Sequence, residues 1–472
     1  MRAFAFICFA VGAPDAWALL DARRVLRRSN RLLSTANFGQ HKVTASDAAS
    51  GDQFGVSVAI DGNTVVVGAY GDEDAGGGSG SVYVLRTTDG GATYDEVAKL
   101  TASDAASSDY FGRHVAIDGD TVLVGAYFEN NRRGAVYVYR TTDNWDTHTE
   151  TKLTASDAAE GDYFGWSVAI DGDTVVVGTM SGAAAYVLRT TDNWDTHTEI
   201  KLTASDGVSS DDFGYSVAIA GATVVVGAWY DADNGSMSGS AYVFLTTDGG
   251  ATYDEVAKLT ASDGAYGDNF GVSVAIDGDT VVVGAEQTYS EGPGAAYVYR
   301  TTDGWSTHTE IKLTASDGAS EDLFGHSVAI DGETVLVGAY YDDPVPRDSG
   351  SAYVFRTSDG GATYPQVAKL TAADAAAFDE FGRSVAIDGG IIVAGAPYDS
   401  GGSVYVFSPP APTVQPTPRP TWTFQPTPQP TVSPKPTTPQ PSTAALGSDS
   451  ATRAGGTLAT ALLAFAATAL AL

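Results

Sequence analysis

The residues in this chain best suited to chemistry are aspartates in a fixed register. Seven pairs stand five residues apart: Asp47/Asp52, Asp104/Asp109, Asp157/Asp162, Asp206/Asp211, Asp263/Asp268, Asp317/Asp322 and Asp374/Asp379. Divalent cations are held by several hard oxygens, so such pairs could form a ring of weak cation sites. Aspartates of this kind also accept hydrogen bonds from loop amides in Asx-type turns. Their recurrence favours the second duty, because structural work repeats along an array and specific sites usually do not.

Other reactive groups are sparse. His148, His197 and His308 share one position in Trp-x-Thr-His-Thr-Glu, which reads as decoration of a repeated turn. No His, Cys and Asp group has metal-ligand spacing. No Gly-x-Ser-x-Gly elbow or Ser-His-Asp order stands out. Paired carboxylates say little about glycosidase chemistry in a chain with 58 acidic and 26 basic residues. The formal net charge of -32 leaves no basic surface for nucleic acid or for charge-driven binding to anionic lipid. No catalytic residue is assigned, and the chain is not expected to be an enzyme.

The aspartate pairs belong to a longer repeat that must position whatever the chain recognises. Each precedes a Phe-Gly, at Phe54, Phe111, Phe164, Phe213, Phe270, Phe324 and Phe381, spaced by 57, 53, 49, 57, 54 and 57 residues. A period of that size means stacked supersecondary units. In the fifth unit the pattern predicts strands over 272–276, 280–285, 295–300 and 310–315. Asp277-Gly278 between the first two is a tight-hairpin signal. Four short antiparallel strands per unit, with no helical period, predict a blade, and the chain reads as an all-β, seven-bladed β-propeller. Seven Lys-x-Thr-Ala segments begin at Lys42, Lys99, Lys152, Lys201, Lys258, Lys312 and Lys369, and none follows the last Tyr-Val at 405–406. The strand at 41–46 is therefore expected to complete the seventh blade and close the ring, leaving no free blade edge.

The two ends lie outside the repeat of 42–408. Residues 1–18 read as a signal peptide: Arg2, a short apolar run and Ala16-Trp17-Ala18 as a cleavage site, with a disordered apolar leader as the alternative. The sole cysteine, Cys8, lies in that run. Residues 19–40 read as an unstructured basic arm. From Pro409 to Pro441 the chain holds 13 of its 19 prolines, so 409–446 reads as a disordered, extended stalk. Residues 447–472 combine small residues, a spacer and an apolar tail, a GPI-attachment pattern with Gly447 and Ser448 as candidate sites. A tail-anchored membrane helix is the alternative.

The repeat resembles the FG-GAP family, whose units form the N-terminal propeller of integrin alpha subunits. Phe-Gly occurs in all seven units, while Gly-Ala-Pro is literal only at Gly395-Ala396-Pro397. Elsewhere the triplet varies, as in Gly68-Ala69-Tyr70 and Gly284-Ala285-Glu286. Many integrin-like blades carry a calcium loop, but the matching turns here, such as Asp61-Gly62 and Asp118-Gly119, are too short to wrap the ion. No cofactor is therefore expected, and calcium is not carried over from the resemblance.

What differs between units is more informative than what repeats. The residue after Phe-Gly varies, and so do the loops between the second and third strands, which blade topology puts on the same face. Irregular, aromatic-rich loops on a rigid scaffold are where binding is built. The candidate ligand-binding residues are Arg113, Trp166, Tyr215, His326, Trp229, Tyr230, Tyr340 and Tyr341. Asn234-Gly235-Ser236 places a glycosylation sequon on that face. The expected function is an extracellular binding or adhesion module, held at the cell surface by its C-terminal anchor. Its partner would be an extracellular protein or glycan. A secreted enzyme acting on polysaccharide and a structural surface-coat protein are the alternatives.

Overall fold

Runs such as Thr64–Ala69 and Thr280–Ala285 are buried at every position, as strands covered on both faces must be. The computed structural model of the chain describes residues 38–409, apart from 290–291 and 344–346. Its strands form seven four-stranded antiparallel sheets. The first strand of each sheet touches the first strands of the two neighbouring sheets, and these contacts run full circle. This is a seven-bladed propeller with the first strand of each blade nearest the axis.

In the fifth blade the strands are Phe270–Asp277, Thr280–Ala285, Ala295–Arg300 and Thr309–Leu313. The first starts two residues before the expected position, because a bulge between Phe270 and Val274 lets Phe270 pair with Ala285. The seventh blade is completed by Gly39–Val43, which pairs antiparallel with Ser403–Ser408. Closure by the N-terminal strand is as expected, but the strand starts at Gly39 instead of His41 and so takes in Gly39 and Gln40 of the supposed arm. Side chains explain the shift. Phe38 packs edge-on against Phe407 at 6.5 Å. Gln40 Nε2 donates to the Thr371 carbonyl, and its Oε1 accepts from the Ala373 amide, both at 3.0 Å.

One turn departs from the all-strand expectation. Glu129–Arg132 forms a single helical turn, with left-handed φ of 50° at Asn130 and 60° at Asn131, a conformation asparagine tolerates. Among the described residues, no helix is long and apolar enough to cross a membrane. The expected signal peptide, the arm up to residue 37, the stalk from 410 onward and the C-terminal tail lie outside the described residues.

Adjacent blades meet backbone to backbone. A Cβ on Gly68 would collide with the carbonyl oxygen of Gly112 in the next blade. Gly395 stands in the same way against Gly55, across the junction that closes the ring. A serine hydroxyl reinforces the contact: Ser57 Oγ donates to Gly112 O at 2.9 Å, and Ser384 Oγ to Gly55 O at 2.7 Å. An added methyl at Gly395 therefore has to push two blades apart. Gly395→Ala is expected to cost about 3 kcal/mol or more. Gly119→Ala, at φ 58° but in open space, should cost only about 1 kcal/mol. Denaturant unfolding of the two variants checks this, and equal losses would show that close blade contact is not what holds the ring.

Candidate functional site

The repeated polar residues are occupied by the scaffold. The second aspartate of each pair accepts the backbone amide three residues before it, as Asp52 does from Ala49 at 2.6 Å, in all seven blades. That is the loop-amide duty. The first aspartate accepts from the hydroxyl of the Tyr-Val tyrosine, for example Tyr83 on Asp47 at 2.7 Å. The same carboxylate also holds the ammonium of the Lys-x-Thr-Ala lysine, at 2.6 to 2.8 Å throughout. In the first blade Lys99 sits among Asp47, Asp72 and Asp74 at 2.6, 3.0 and 2.5 Å. These three carboxylates converge as metal ligands would, but the cation among them is the chain's own lysine. Burial pulls the Asp47 carboxyl up, yet the hydrogen bonds from Lys99 and Tyr83 outweigh it and hold the group below its usual range.

The variable residues behave differently. In six of the seven blades the loop between second and third strands docks on the Phe-Gly of the following blade; the short loop of the third blade is the exception. Phe164 N–H donates to Arg133 O, and Phe324 N–H to Pro293 O, both at 3.0 Å. This docking brings the loops and the residues after Phe-Gly onto one face around the axis. Five of the expected residues join in one arc. The Arg113 guanidinium lies 5.9 Å from the Tyr70 ring and 5.4 Å from that of Trp166. Trp166 meets Tyr215 at 5.4 Å, Tyr215 meets Trp229 at 4.9 Å, and Trp229 meets Tyr230 at 4.1 Å. Tyr127, absent from the expected set, stands edge-on to Trp166 at 5.0 Å.

The other three form a second arc. His326 lies 4.4 Å from Tyr340, which lies 4.4 Å from the exposed Tyr341. Arg383, also outside the expected set, covers Tyr340 at 4.9 Å and pairs with Glu380 at 2.6 Å. Glu286 joins the two arcs. It is only 8% exposed. Its carboxylate accepts from His326 Nδ1 and from Thr288 Oγ1, both at 2.7 Å. Burial raises the Glu286 carboxyl, but the bond and charge of His326 outweigh it, so the group stays below its usual range. Tyr215 is pushed up to about 12, by burial first and then by the charge of Glu286. Tyr215 also feels Arg113, Arg383 and Asp212, so charges from four blades converge on one phenol.

Sequence reasoning missed Glu286 and His114. Glu286 carries the only charge at the third place of the Gly-Ala-x triplet, where Tyr, Met, Trp or Pro otherwise stands. His114 replaces the serine that six other blades use to bond the next blade. Burial, and then the charge of Arg113, holds the His114 imidazole well below its usual range. Arg113 Nη1 lies 3.4 Å from His114 Nε2. Asn234 is exposed on the fourth blade's loop.

A sequence profile described as FG-GAP repeat matches the chain seven times, over residues 38–85, 94–139, 147–187, 197–244, 253–299, 307–355 and 364–407. No curated protein matches the chain. Among solved structures, virginiamycin B lyase from Staphylococcus aureus is similar at 12% identity and a TM-score of 0.48, over 79% of this chain and 99% of that one. A protein from Lactobacillus plantarum is similar at 14% identity and a TM-score of 0.45, over 68% of this chain and 86% of that one.

One acid at the edge of the first arc gives this face a pH signature. Burial raises Asp212 to about 6, and Trp229 Nε1 donates to it at 3.2 Å. An acid raised on folding favours the folded state only in its protonated form. The penalty of ionising it is absent below about pH 4 and grows as pH rises toward 6. Asp212→Asn, which keeps the left-handed backbone (φ 52°) comfortable, should raise the unfolding midpoint at pH 8 and match the parent at pH 4. The tryptophan emission of the parent should step near pH 6, and the variant should lose that step.

Proposed function

The chain belongs to the FG-GAP repeat family, and we propose that its propeller is an extracellular binding module that recognises a glycan or protein through the Phe-Gly face. One observation carries this reading. The residues that differ between blades converge as half-buried rings and charges on one face, while the repeated aspartates, tyrosines and lysines bond one another within the scaffold. Tyrosine, tryptophan and arginine held on a rigid scaffold are the residue types that dominate binding hot spots. In this reading the signal peptide exports the chain, the Pro/Thr-rich stalk lifts the propeller off the membrane and the C-terminal tail anchors it. A sugar on Asn234 would shield the rim beside the fourth blade.

The Glu286–His326 pair supports a second reading, since a carboxylate-oriented imidazole is the arrangement a general base requires. In that case the same face would turn over a polysaccharide.

Cells displaying the full chain, screened on glycan and extracellular-protein arrays, test the first reading. The joint substitution Trp166→Ala and Tyr215→Ala should weaken the strongest signal by about 30-fold or more. His197→Ala, on an exposed turn at the other end of the third blade, should leave it unchanged. Equal loss with both variants would sink the assignment of this face. Product release abolished by His326→Ala would favour the enzyme.

A further inference from the structure

Arg113 is out of place electrostatically. All seven lysines of the described residues sit on carboxylates. Arg113 is half-buried in a chain of net charge -32, yet it has no carboxylate partner among the described residues. Its contacts are the rings of Tyr70 and Trp166 and the acceptor nitrogen of His114. The two rings lie 5.9 and 5.4 Å from the guanidinium, and Nη1 is directed at His114; the remaining donors have no partner among the described residues and can meet an acceptor.

A second donor lies beside it. The Trp166 indole N–H is buried and has no hydrogen-bond acceptor. That nitrogen has no solvent access, so what Trp166 offers a ligand is its ring beside Arg113 and not its N–H. Among the described residues, the serine bond to the next blade is also missing here and at no other junction. Where six blades place a serine that bonds the next blade, the second blade places His114, 6.2 Å from the Trp166 ring.

We propose that this part of the Phe-Gly face binds an acidic saccharide. Its carboxylate is taken by the Arg113 guanidinium, and its ring lies on the faces of Trp166 and Tyr215. The inference rests on the binding face proposed above and names its ligand class. A sugar acid presents a carboxylate, several hydroxyls and an apolar face of C–H groups. Arg113 matches the first, the Glu286–His326 pair offers acceptors and a donor for the second, and the aromatic arc matches the third. A peptide carboxylate fits less well, because a peptide brings backbone groups that need partners. The loop carbonyls Ser79 O, Arg133 O, Ser238 O, Pro293 O, Ser349 O and Gly401 O are already taken by the Phe-Gly amides. The net negative field of the protein opposes a polyanion at long range, so affinity resting on short contacts should hold or rise with added salt.

The test uses the full chain in detergent, titrated with a glucuronate-containing oligosaccharide and with its carboxyl-reduced counterpart at two salt concentrations. The parent should bind the acidic probe at least 10-fold more tightly than the reduced one, with no loss at higher salt. Arg113→Gln should erase that preference and leave binding of the reduced probe within about twofold. Trp166→Ala, which removes the ring the sugar lies on, should weaken binding of both probes several-fold. Equal affinity of the parent for both probes would overturn the anion subsite while leaving a glycan-binding face intact. Preference for an acidic peptide over both sugars would overturn the saccharide assignment in favour of a peptide. Failure of the folded parent to bind any of the three probes would count against the subsite, and an empty result on the glycan and protein arrays as well would count against the binding face itself.

Discussion

The whole ring depends on a contact in which two backbones approach too closely for any side chain to stand between them. At each of the seven junctions the glycine ending a second strand faces the carbonyl oxygen of the next blade's Phe-Gly glycine. That contact sets the spacing and tilt of adjacent blades, and a closed ring cannot absorb a local change without passing it on. The Phe beside the contact is fully buried and meets its blade's tyrosine edge-on, at 5.3 to 5.5 Å in every blade. Phe-Gly and Gly-Ala are thus two halves of one joint, and each explains why the other repeats.

The charge arrangement follows from the same joint. The tyrosine that packs on Phe hands its hydroxyl to an aspartate, and the aspartate holds a lysine whose ammonium lies over the tyrosine ring at 5.1 to 5.5 Å. Apolar core, hydroxyl, carboxylate and ammonium form one line from the inside of each blade to its surface. Isolated surface ion pairs contribute little. Here the lysine sits among partly buried groups and compensates carboxylates that would otherwise repel one another. The seventh blade borrows Lys42 from the N-terminal strand for the same place, so ring closure is chemical as well as topological.

Most of this was legible in the sequence because it repeats. Seven copies average out the noise in any one strand assignment, and the out-of-phase Lys42 segment announced the closure. Strand ends were less legible: the bulge at Phe270 and the side-chain bonds of Gln40 are local facts that hydrophobic pattern does not encode. The candidate face was half legible. Arg113, Trp166, Tyr215 and His326 stood out because they occupy one variable place in a fixed frame. Glu286 did not, because one glutamate among 58 acidic residues becomes distinctive only when folding puts it against His326 from the next blade.

The junction between the second and third blades shows how structure and recognition can be separated in such an array. All seven junctions face the same mechanical demand, so any one is a control for the others. Six meet it with a serine bond worth about 1 kcal/mol each. The second blade replaces that serine with the His114 imidazole, whose ring bond among the described residues goes to Arg113 of the same blade instead of the next one. It then surrounds the change with Arg113, Trp166 and Tyr127. A departure that weakens the joint, found where an unpaired guanidinium and an unmatched indole N–H also meet, is poorly explained by packing alone. In a sequence that is otherwise locally consistent, such conflicts concentrate at functional sites. The ring's own regularity is therefore the reference that makes the joint without a serine bond informative.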